Sequence, residues 1–158
     1  YDEHELSILH PYWTGMPQWK DARPKSQFIH ADARNIDYSK LDTYFDYLSF
    51  DLDKPLLSWE VITQITNSIE FSVITFEHDI YKNEVESNIV KNRTFTLLRK
   101  QGYQLLVDNV TLNIRKDDPL HFEDWYVNPK YIRQEIIDAY RWVTLDFTIK
   151  YYPDILFS

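Results

Sequence analysis

Two short apolar runs that end in carboxylates constrain the fold of this chain more than any other feature. The runs are Asp46-Tyr-Leu-Ser-Phe-Asp-Leu-Asp53 and Phe71-Ser-Val-Ile-Thr-Phe-Glu-His-Asp79. Asp51 and Asp53 precede Glu77 and Asp79 by the same interval of about 26 residues, roughly what a parallel strand-helix-strand crossover occupies. We therefore predict two neighbouring parallel strands whose carboxyl ends meet at one edge of a sheet.

Burial in a sheet penalises unpaired carboxylates, so the acidic residues mark the points where the buried strands end. Several acidic residues at such strand ends indicate a site. In open parallel sheets, ligands bind outside the carboxyl ends of the strands, so we predict one acidic pocket that also contains His78. Asp51, Glu77 and His78 are the candidate catalytic residues, with His78 as the candidate base. Converging carboxylates repel one another, and Mg²⁺ or Mn²⁺ would neutralise them, so Asp51, Asp53 and Asp79 are candidate metal ligands.

Composition narrows the class of protein. The chain has 158 residues, 44% of them apolar, which suggests one domain, and its net charge of −8 disfavours nucleic acid as a partner. The sequence contains no cysteine and no apolar run long enough for a membrane span, so we expect a soluble, cytoplasmic protein. Only Gly15 and Gly102 are present, which excludes a complete glycine-rich phosphate-binding or dinucleotide-binding loop within the sequence.

The order of predicted elements suits an α/β sheet. Helices are absent between the last predicted strands, so these strands are expected to pair antiparallel at one edge. Ser58 is the predicted N-cap of the crossover helix, and Gly102 is the predicted stop of the next helix. The predicted elements are strands Gln27–Ala31, Tyr47–Phe50 and Phe71–Phe76, a helix capped by Ser58 in the segment that Pro55 opens, a helix over about 83–101, strands Tyr103–Val107, Val110–Ile114 and Phe122–Val127, and a helix over about 130–140.

An ordered series of five motifs resembles the C-terminal half of FkbM-type methyltransferases, over roughly Gln27 to Pro129. The motifs are Phe28-Ile-His-Ala-Asp-Ala33, Asp46-Tyr-Leu-Ser-Phe-Asp-Leu-Asp53, Val73-Ile-Thr-Phe-Glu-His-Asp-Ile-Tyr81, Gly102-Tyr103 and Phe122-Glu-Asp-Trp-Tyr-Val127. The resemblance implies a seven-stranded Rossmann-like fold and S-adenosylmethionine-dependent methylation of hydroxyl groups on sugars or other small molecules.

The resemblance also implies roles for particular residues. Asp32 matches the acidic residue that contacts the adenine ring, Asp51 and Asp53 match the fourth-strand motif beside the methyl donor, and Glu77, His78 and Asp79 match the end of the fifth strand. Residues 103–127 match the reversed sixth and seventh strands. The first strand, the glycine-rich loop and the ribose-binding acid have no counterpart, so we expect activity to require residues upstream of Tyr1 or a second polypeptide.

The predicted organisation is therefore a single α/β domain with a Rossmann-like, mostly parallel sheet and antiparallel edge strands, lacking the first strands and the glycine-rich loop. Residues 1–26 form an irregular segment, 27–129 the methyltransferase-like half, and 130–158 a helix and tail. An incomplete sheet leaves an exposed edge, so we expect a homo-oligomer or an upstream partner segment.

Two other functions are open from the sequence alone. Asp51-Leu-Asp53 also fits the Asp-X-Asp motif by which metal-dependent glycosyltransferases hold a nucleotide sugar. The glycine deficit also fits a non-catalytic Rossmann-like remnant that acts as a binding or assembly module. The roles of Glu123 and Asp124 are also undecided from the sequence: the two residues either reach the rim of the pocket or form an exposed strand face.

Overall fold

The computed structural model describes residues 31–52, 54–80, 83–115, 118–141 and 146–148, with the single positions 25 and 29. The chain divides into two compact units, Tyr1–Ile36 and Asp37–Ser158. The described part of the first unit contains a 3-10 helix, Ala33–Asn35. Most of the predicted strand 27–31 lies outside the described residues. The predicted division at residues 26 and 129 stays a prediction.

The second unit alternates strands and helices up to a β-hairpin. Among the described residues, no helix is both long enough and apolar enough to cross a bilayer. The elements, after a 3-10 helix at Tyr38–Lys40, are β1 (Tyr44–Phe50), α1 (Pro55–Ser68), β2 (Glu70–Glu77), α2 (Glu84–Lys100), β3 (Gln104–Arg115), β4 (Asp118–Val127), α3 (Gln134–Tyr140) and β5 (Asp146–Thr148).

These strands form one mixed sheet in the order β1-β2-β4-β3-β5. β1 and β2 are parallel, β4 is antiparallel to both β2 and β3, and the three-residue β5 is parallel to β3. Four of the described strands therefore run in one direction and β4 runs in the other. An α/β fold is confirmed, and so is the antiparallel pairing of β3 with β4. The pair does not form the edge itself, because the three-residue β5 adds outside β3.

The helices α1 and α2 form one layer on the sheet. Both crossovers, β1-α1-β2 and β2-α2-β3, join strands of the same direction, and right-handed connections place both helices on the same face. The two helices contact each other. The buried apolar side chains of helices and sheet include Phe50, Val61, Ile62, Ile65, Ile74, Phe76, Val90, Leu98, Val107, Val110 and Tyr126.

The ends of both long helices follow from local sequence. Pro55 occupies the first turn of α1, where a missing N–H costs no hydrogen bond, and Lys54 is the N-cap. The prediction that Ser58 is the N-cap is wrong: its side chain is buried inside the helix and its hydroxyl donates to the Leu52 carbonyl at 2.9 Å. Gly102, with a φ of 95°, follows α2 as predicted.

β3 is one long strand rather than the two predicted strands. Its pairing with β4 shifts register between Val107 and Val110. Asn109 in this bulge has a φ of 54°, a left-handed conformation that asparagine tolerates better than most residues. The polar pair Asp108-Asn109 therefore marks a bulge within a strand, although in sequence it resembles a turn.

Candidate functional site

The carboxyl ends of β1 and β2 meet at one edge of the sheet, which we call the acidic edge. Phe50 pairs in register with Phe76, so Asp51 and Glu77 follow at equivalent positions. The parallel pairing predicted from the spacing is therefore confirmed. Because β4 is reversed, its first half lies at the same edge, where Glu123 pairs with Glu77.

Glu123 occupies a half-buried position on one face of the acidic edge. The Trp125 Nε1–H donates a hydrogen bond to Glu123 Oε1, and Thr75 forms a second side-chain hydrogen bond. Burial raises the pKa of Glu123; hydrogen bonds and His78 oppose this shift, and the charge of Asp51 adds to it. Asp51 is exposed and lies close enough to Glu123 to influence its ionisation. Asp51, Glu77 and Glu123 therefore form a carboxylate group at this edge.

Asp124, the next residue of β4, lies on the opposite face of the sheet, as strand geometry requires. Its side chain is only 1% exposed and accepts hydrogen bonds from the Asn109 N–H at 2.9 Å and the Tyr126 hydroxyl at 3.2 Å. Lys91 Nζ lies 3.2 Å and His78 Nε2 3.4 Å from Asp124 Oδ1. Burial acts to raise the pKa of Asp124, but contact with His78 and the charge of Lys91 outweigh it, and the pKa is lowered.

His78 is enclosed by this buried network. Its side chain has 0% exposure, and its backbone N–H donates to the Phe122 carbonyl at 2.7 Å. Neither ring nitrogen has a hydrogen-bond partner within the described part of the chain, although Nε2 lies 3.4 Å from Asp124 Oδ1. The ring is therefore held by packing and by the charge of Asp124.

Asp79 continues from His78 into a cavity at the acidic edge. It is buried with a φ of 50°, and its carbonyl accepts a hydrogen bond from the Ser87 hydroxyl at 3.3 Å. The cavity has a volume of about 400 Å³ and lies where α1 and α2 begin. Helix N-termini carry partial positive charge, which favours anionic groups nearby. The lining residues are Lys54, Pro55, Leu56, Leu57, Asp79, Asn83 and Glu86.

Asp32, the predicted adenine contact, belongs to the first unit. Its carboxylate caps the 3-10 helix through the Arg34 N–H at 3.0 Å and accepts from the Arg34 guanidinium. These hydrogen bonds lower the pKa of Asp32 to about 2. Asp32 is therefore ionised at neutral pH, and its role in cofactor binding stays a prediction.

The structure thus separates the predicted catalytic residues. Asp51 and Glu77 lie together at the acidic edge, whereas the His78 side chain lies on the face that carries Asp124. The predicted metal ligand Asp53 lies outside the described residues. Among the described residues, no group of three or more histidine or carboxylate side chains is arranged to hold a metal ion. The Mg²⁺ or Mn²⁺ site stays a prediction.

Sequence reasoning left two features of the site unassigned. Glu123 joins Asp51 and Glu77, and Asp124 forms a buried charge network with Lys91. The local signal for both features is a pair of adjacent carboxylates, Glu123 and Asp124, in a strand otherwise rich in aromatic residues. The partner Lys91 lies on a separate helix and carries no motif, so the network depends on tertiary structure.

No family model matches the chain, and no curated protein or solved structure shows significant similarity to it.

Proposed function

We propose that this chain supplies the acceptor-facing half of an S-adenosylmethionine-dependent methyltransferase that acts on a hydroxyl of a sugar or another small molecule. The observation that carries the proposal is the meeting of Asp51, Glu77 and Glu123 at the carboxyl edge of β1, β2 and reversed β4. Such an edge is where open α/β sheets bind ligands. The parallel β1-α1-β2 unit also supports the fourth-strand and fifth-strand assignments that the motif resemblance implies.

Methyl transfer to a hydroxyl requires an in-line approach and removal of the hydroxyl proton. The cofactor, when bound, supplies an electrophilic methyl group on a positively charged sulfur. Carboxylates at the acidic edge would stabilise that positive charge and accept the proton. A carboxylate with a raised pKa is the better proton acceptor, because its pKa lies closer to the working pH.

The proposal gives each acidic residue a different task. Asp51 is exposed and contacts the acceptor hydroxyl, while Glu77 and Glu123 lie beside it. Glu123 takes the proton, because burial raises its pKa. His78, with 0% side-chain exposure, acts through its contact with Asp124 as a positioning residue for the end of β2. The candidate base is therefore Glu123 rather than His78.

The residues at the acidic edge fit only part of the cofactor. Their negative charge suits the sulfonium and a hydroxyl acceptor. Gly102 follows the last turn of α2, and Gly15 lies outside the described residues, so the described edge offers no glycine turn for the methionine part. We therefore assign to this chain the sulfonium and acceptor side of the site.

The cation is tested separately. We expect Mg²⁺ or Mn²⁺ to bind at Asp51, Asp53 and Asp79 if converging charge there needs neutralising. Calorimetric titration with each cation, in wild type and in Asp79→Asn, measures this directly. Absence of heat together with activity that is insensitive to chelator contradicts the metal site and leaves the methyltransferase proposal intact.

The decisive experiment uses the complete reading frame that contains this chain. S-adenosylhomocysteine and uridine diphosphate with Mn²⁺ are titrated calorimetrically, and methyl transfer from radiolabelled S-adenosylmethionine is measured against a panel of sugars. We expect S-adenosylhomocysteine to bind and Asp51→Asn to reduce turnover by more than about tenfold, the lower size of a direct acid or base contribution. Asp138→Asn, an exposed carboxylate on α3, is the control and retains full turnover.

Each alternative has its own outcome. Binding of uridine diphosphate with Mn²⁺, without S-adenosylhomocysteine, favours the glycosyltransferase. Binding of neither favours the non-catalytic module. A loss below about tenfold in Asp51→Asn removes the direct role of Asp51.

A further inference from the structure

A second cavity of about 590 Å³ lies at the edge of the sheet opposite the acidic edge. The starts of β1 and β2 and the end of α1 border it, as do the segment before β3 and the segment after β4. An eight-residue strand such as β2 spans roughly 25 Å, so the two sites are well separated. The volume lies in the usual range for small-molecule sites. The residues that line the cavity include Tyr44, Asn67, Glu70, Tyr103, Lys130 and Tyr131.

Two tyrosine rings form one wall of this cavity. The centroids of Tyr44 and Tyr131 lie 4.6 Å apart, with the rings tilted by 45°. The Tyr44 hydroxyl is hydrogen-bonded to Ser72 Oγ and Asp46 Oδ1, each at 2.7 Å, and the Tyr131 hydroxyl donates to Glu70. Both rings are thus fixed before any ligand binds, so they offer an aromatic surface at low entropic cost.

Neutral polar groups surround the tyrosine wall. The Tyr103 hydroxyl accepts a hydrogen bond from the Phe71 N–H at 2.9 Å and is also hydrogen-bonded to the side chain of Asn128, which lines the same cavity. Asn67 Oδ1 accepts a hydrogen bond from the Gln101 amide at 3.2 Å. This bond uses the Asn67 oxygen, so the Asn67 amide hydrogens can be donated to a ligand. Donors and acceptors of this kind suit hydroxyl groups, which act as both.

The two charged residues that line the cavity, Glu70 and Lys130, neutralise each other. Lys130 Nζ lies 2.6 Å from Glu70 Oε2, and the ammonium also lies 4.9 Å from the centroid of the Tyr131 ring. The hydrogen bond between them lowers the pKa of Glu70 and raises that of Lys130, so both stay charged. A paired lysine offers little attraction to a phosphate or a carboxylate, and a paired glutamate offers little to an ammonium group. The cavity therefore favours an uncharged ligand.

We propose that this cavity binds a neutral sugar residue, with its apolar face on the Tyr44–Tyr131 wall and its hydroxyls hydrogen-bonded to Asn67 and Tyr103. Sugars combine an apolar ring face with several hydroxyl groups, which matches an aromatic wall flanked by amides and a hydroxyl. The proposal goes beyond the methyltransferase proposal, because it uses no residue of the acidic edge and no cofactor.

The test uses the chain itself, with methyl glycosides of glucose, galactose, mannose and N-acetylglucosamine as probes. Saturation-transfer NMR detects binding, and chemical-shift titration gives the dissociation constant. We expect at least one glycoside to bind in the millimolar range, and Tyr131→Ala to weaken it about tenfold, the size of a lost aromatic contact. Asn67→Ala, at an exposed position that leaves the fold intact, weakens binding about threefold to tenfold through a lost hydrogen bond.

Two controls locate the bound sugar. Tyr140→Ala removes an exposed tyrosine of α3 that does not line the cavity, and it leaves the affinity unchanged. Asp138→Asn, which removes an exposed carboxylate that lines neither site, also leaves the affinity unchanged. The proposal is overturned if no glycoside binds, if binding is insensitive to both Tyr131→Ala and Asn67→Ala, or if inorganic phosphate binds at this cavity and the glycosides do not.

Discussion

Glu123 and Asp124 are adjacent in sequence, yet the pKa of Glu123 is raised and that of Asp124 is lowered, because the two side chains lie on opposite faces of β4. Burial raises the pKa of Glu123. Burial acts the same way on Asp124, but contact with His78 and the charge of Lys91 reverse the result. One strand thus carries a carboxyl with a raised pKa at the acidic edge and a carboxyl with a lowered pKa beneath the helices. We therefore predict different effects when each residue is substituted.

The first residue-scale prediction concerns the buried charge of Asp124. Asp124→Ala removes the acceptor of the Asn109 N–H and the Tyr126 hydroxyl, together with the buried charge beside Lys91 and His78. We expect a loss of about 3 kcal/mol in the free energy of unfolding, measured by urea titration, because the Asn109 N–H and the buried Tyr126 hydroxyl lose their acceptor and Lys91 keeps only its more exposed partners.

The matched control for Asp124 uses the same lysine. Asp108 lies 2.6 Å from Lys91 Nζ, but its side chain is 57% exposed. Asp108→Ala should cost less than about 1 kcal/mol, as exposed ion pairs do. Equal losses in the two variants would show that burial does not set the energy of this network.

The second residue-scale prediction concerns pH. The folded state holds the Glu123 proton more tightly than the unfolded state, because burial raises the folded pKa. Stability from this group is therefore complete below the unfolded pKa and is lost as pH rises through the folded pKa. Glu123→Gln cannot ionise, so its free energy of unfolding relative to wild type should rise as pH increases from about 4 towards neutral.

Thermal unfolding across this pH range measures the Glu123 effect. Glu60→Gln, at an exposed position of α1, is the control for the loss of one carboxylate. A difference between Glu123→Gln and wild type that is constant with pH would mean that Glu123 ionises alike in the folded and unfolded states.

At the scale of elements, the start of α2 depends on one side chain. Asn83 Oδ1 accepts the Glu86 N–H at 3.3 Å, and its amide donates to Glu86 Oε2 at 3.2 Å. Asn83→Ala should therefore reduce the free energy of unfolding by about 1 kcal/mol. Asn92→Ala, at an exposed position within the same helix, should instead be neutral or slightly stabilising, because alanine has the higher helix propensity. Chemical denaturation compares both, and a similar loss in each would contradict the cap.

Local signals account for the elements that the sequence predicts well. Gly102 predicts the end of α2 through its own backbone freedom. Pro55 acts through a similar local restriction at the start of α1, although the predicted N-cap is Ser58. Ser58 illustrates the limit, since it has the side chain of an N-cap but lies one turn inside a helix that proline had already started. Asp108 and Asn109 mislead for a similar reason, because the same residue types favour turns and bulges.

Tertiary pairing accounts for what the sequence does not reveal. The equal spacing of Asp51 and Glu77 predicts parallel neighbours because a crossover has a characteristic length. No comparable rule places β4 between β2 and β3, since a hairpin can add to a sheet by either of its strands. That choice brings Glu123 to the acidic edge and Asp124 to Lys91, so half of the candidate site depends on it.

At the scale of the whole molecule, negative charge exceeds positive charge. The net charge is −8, and the acidic edge adds a local concentration of like charges. The exposed ion pairs, such as Lys130 with Glu70, contribute little in water. Mutual repulsion among the excess carboxylates should therefore dominate the response of stability to salt.

Salt should raise the stability of this protein because screening weakens that repulsion more than it weakens the exposed ion pairs. We expect the melting temperature to rise between about 0.01 M and 0.15 M NaCl, over which the screening length falls from roughly 30 Å to 8 Å. Asp51→Asn and Asp138→Asn each remove one negative charge, so a purely global effect changes their salt dependence equally. If carboxylates converge at the acidic edge, Asp51→Asn gains more stability at low salt and shows the shallower rise. Differential scanning calorimetry measures both slopes, and equal slopes would mean that Asp51 experiences only the charge of the molecule as a whole.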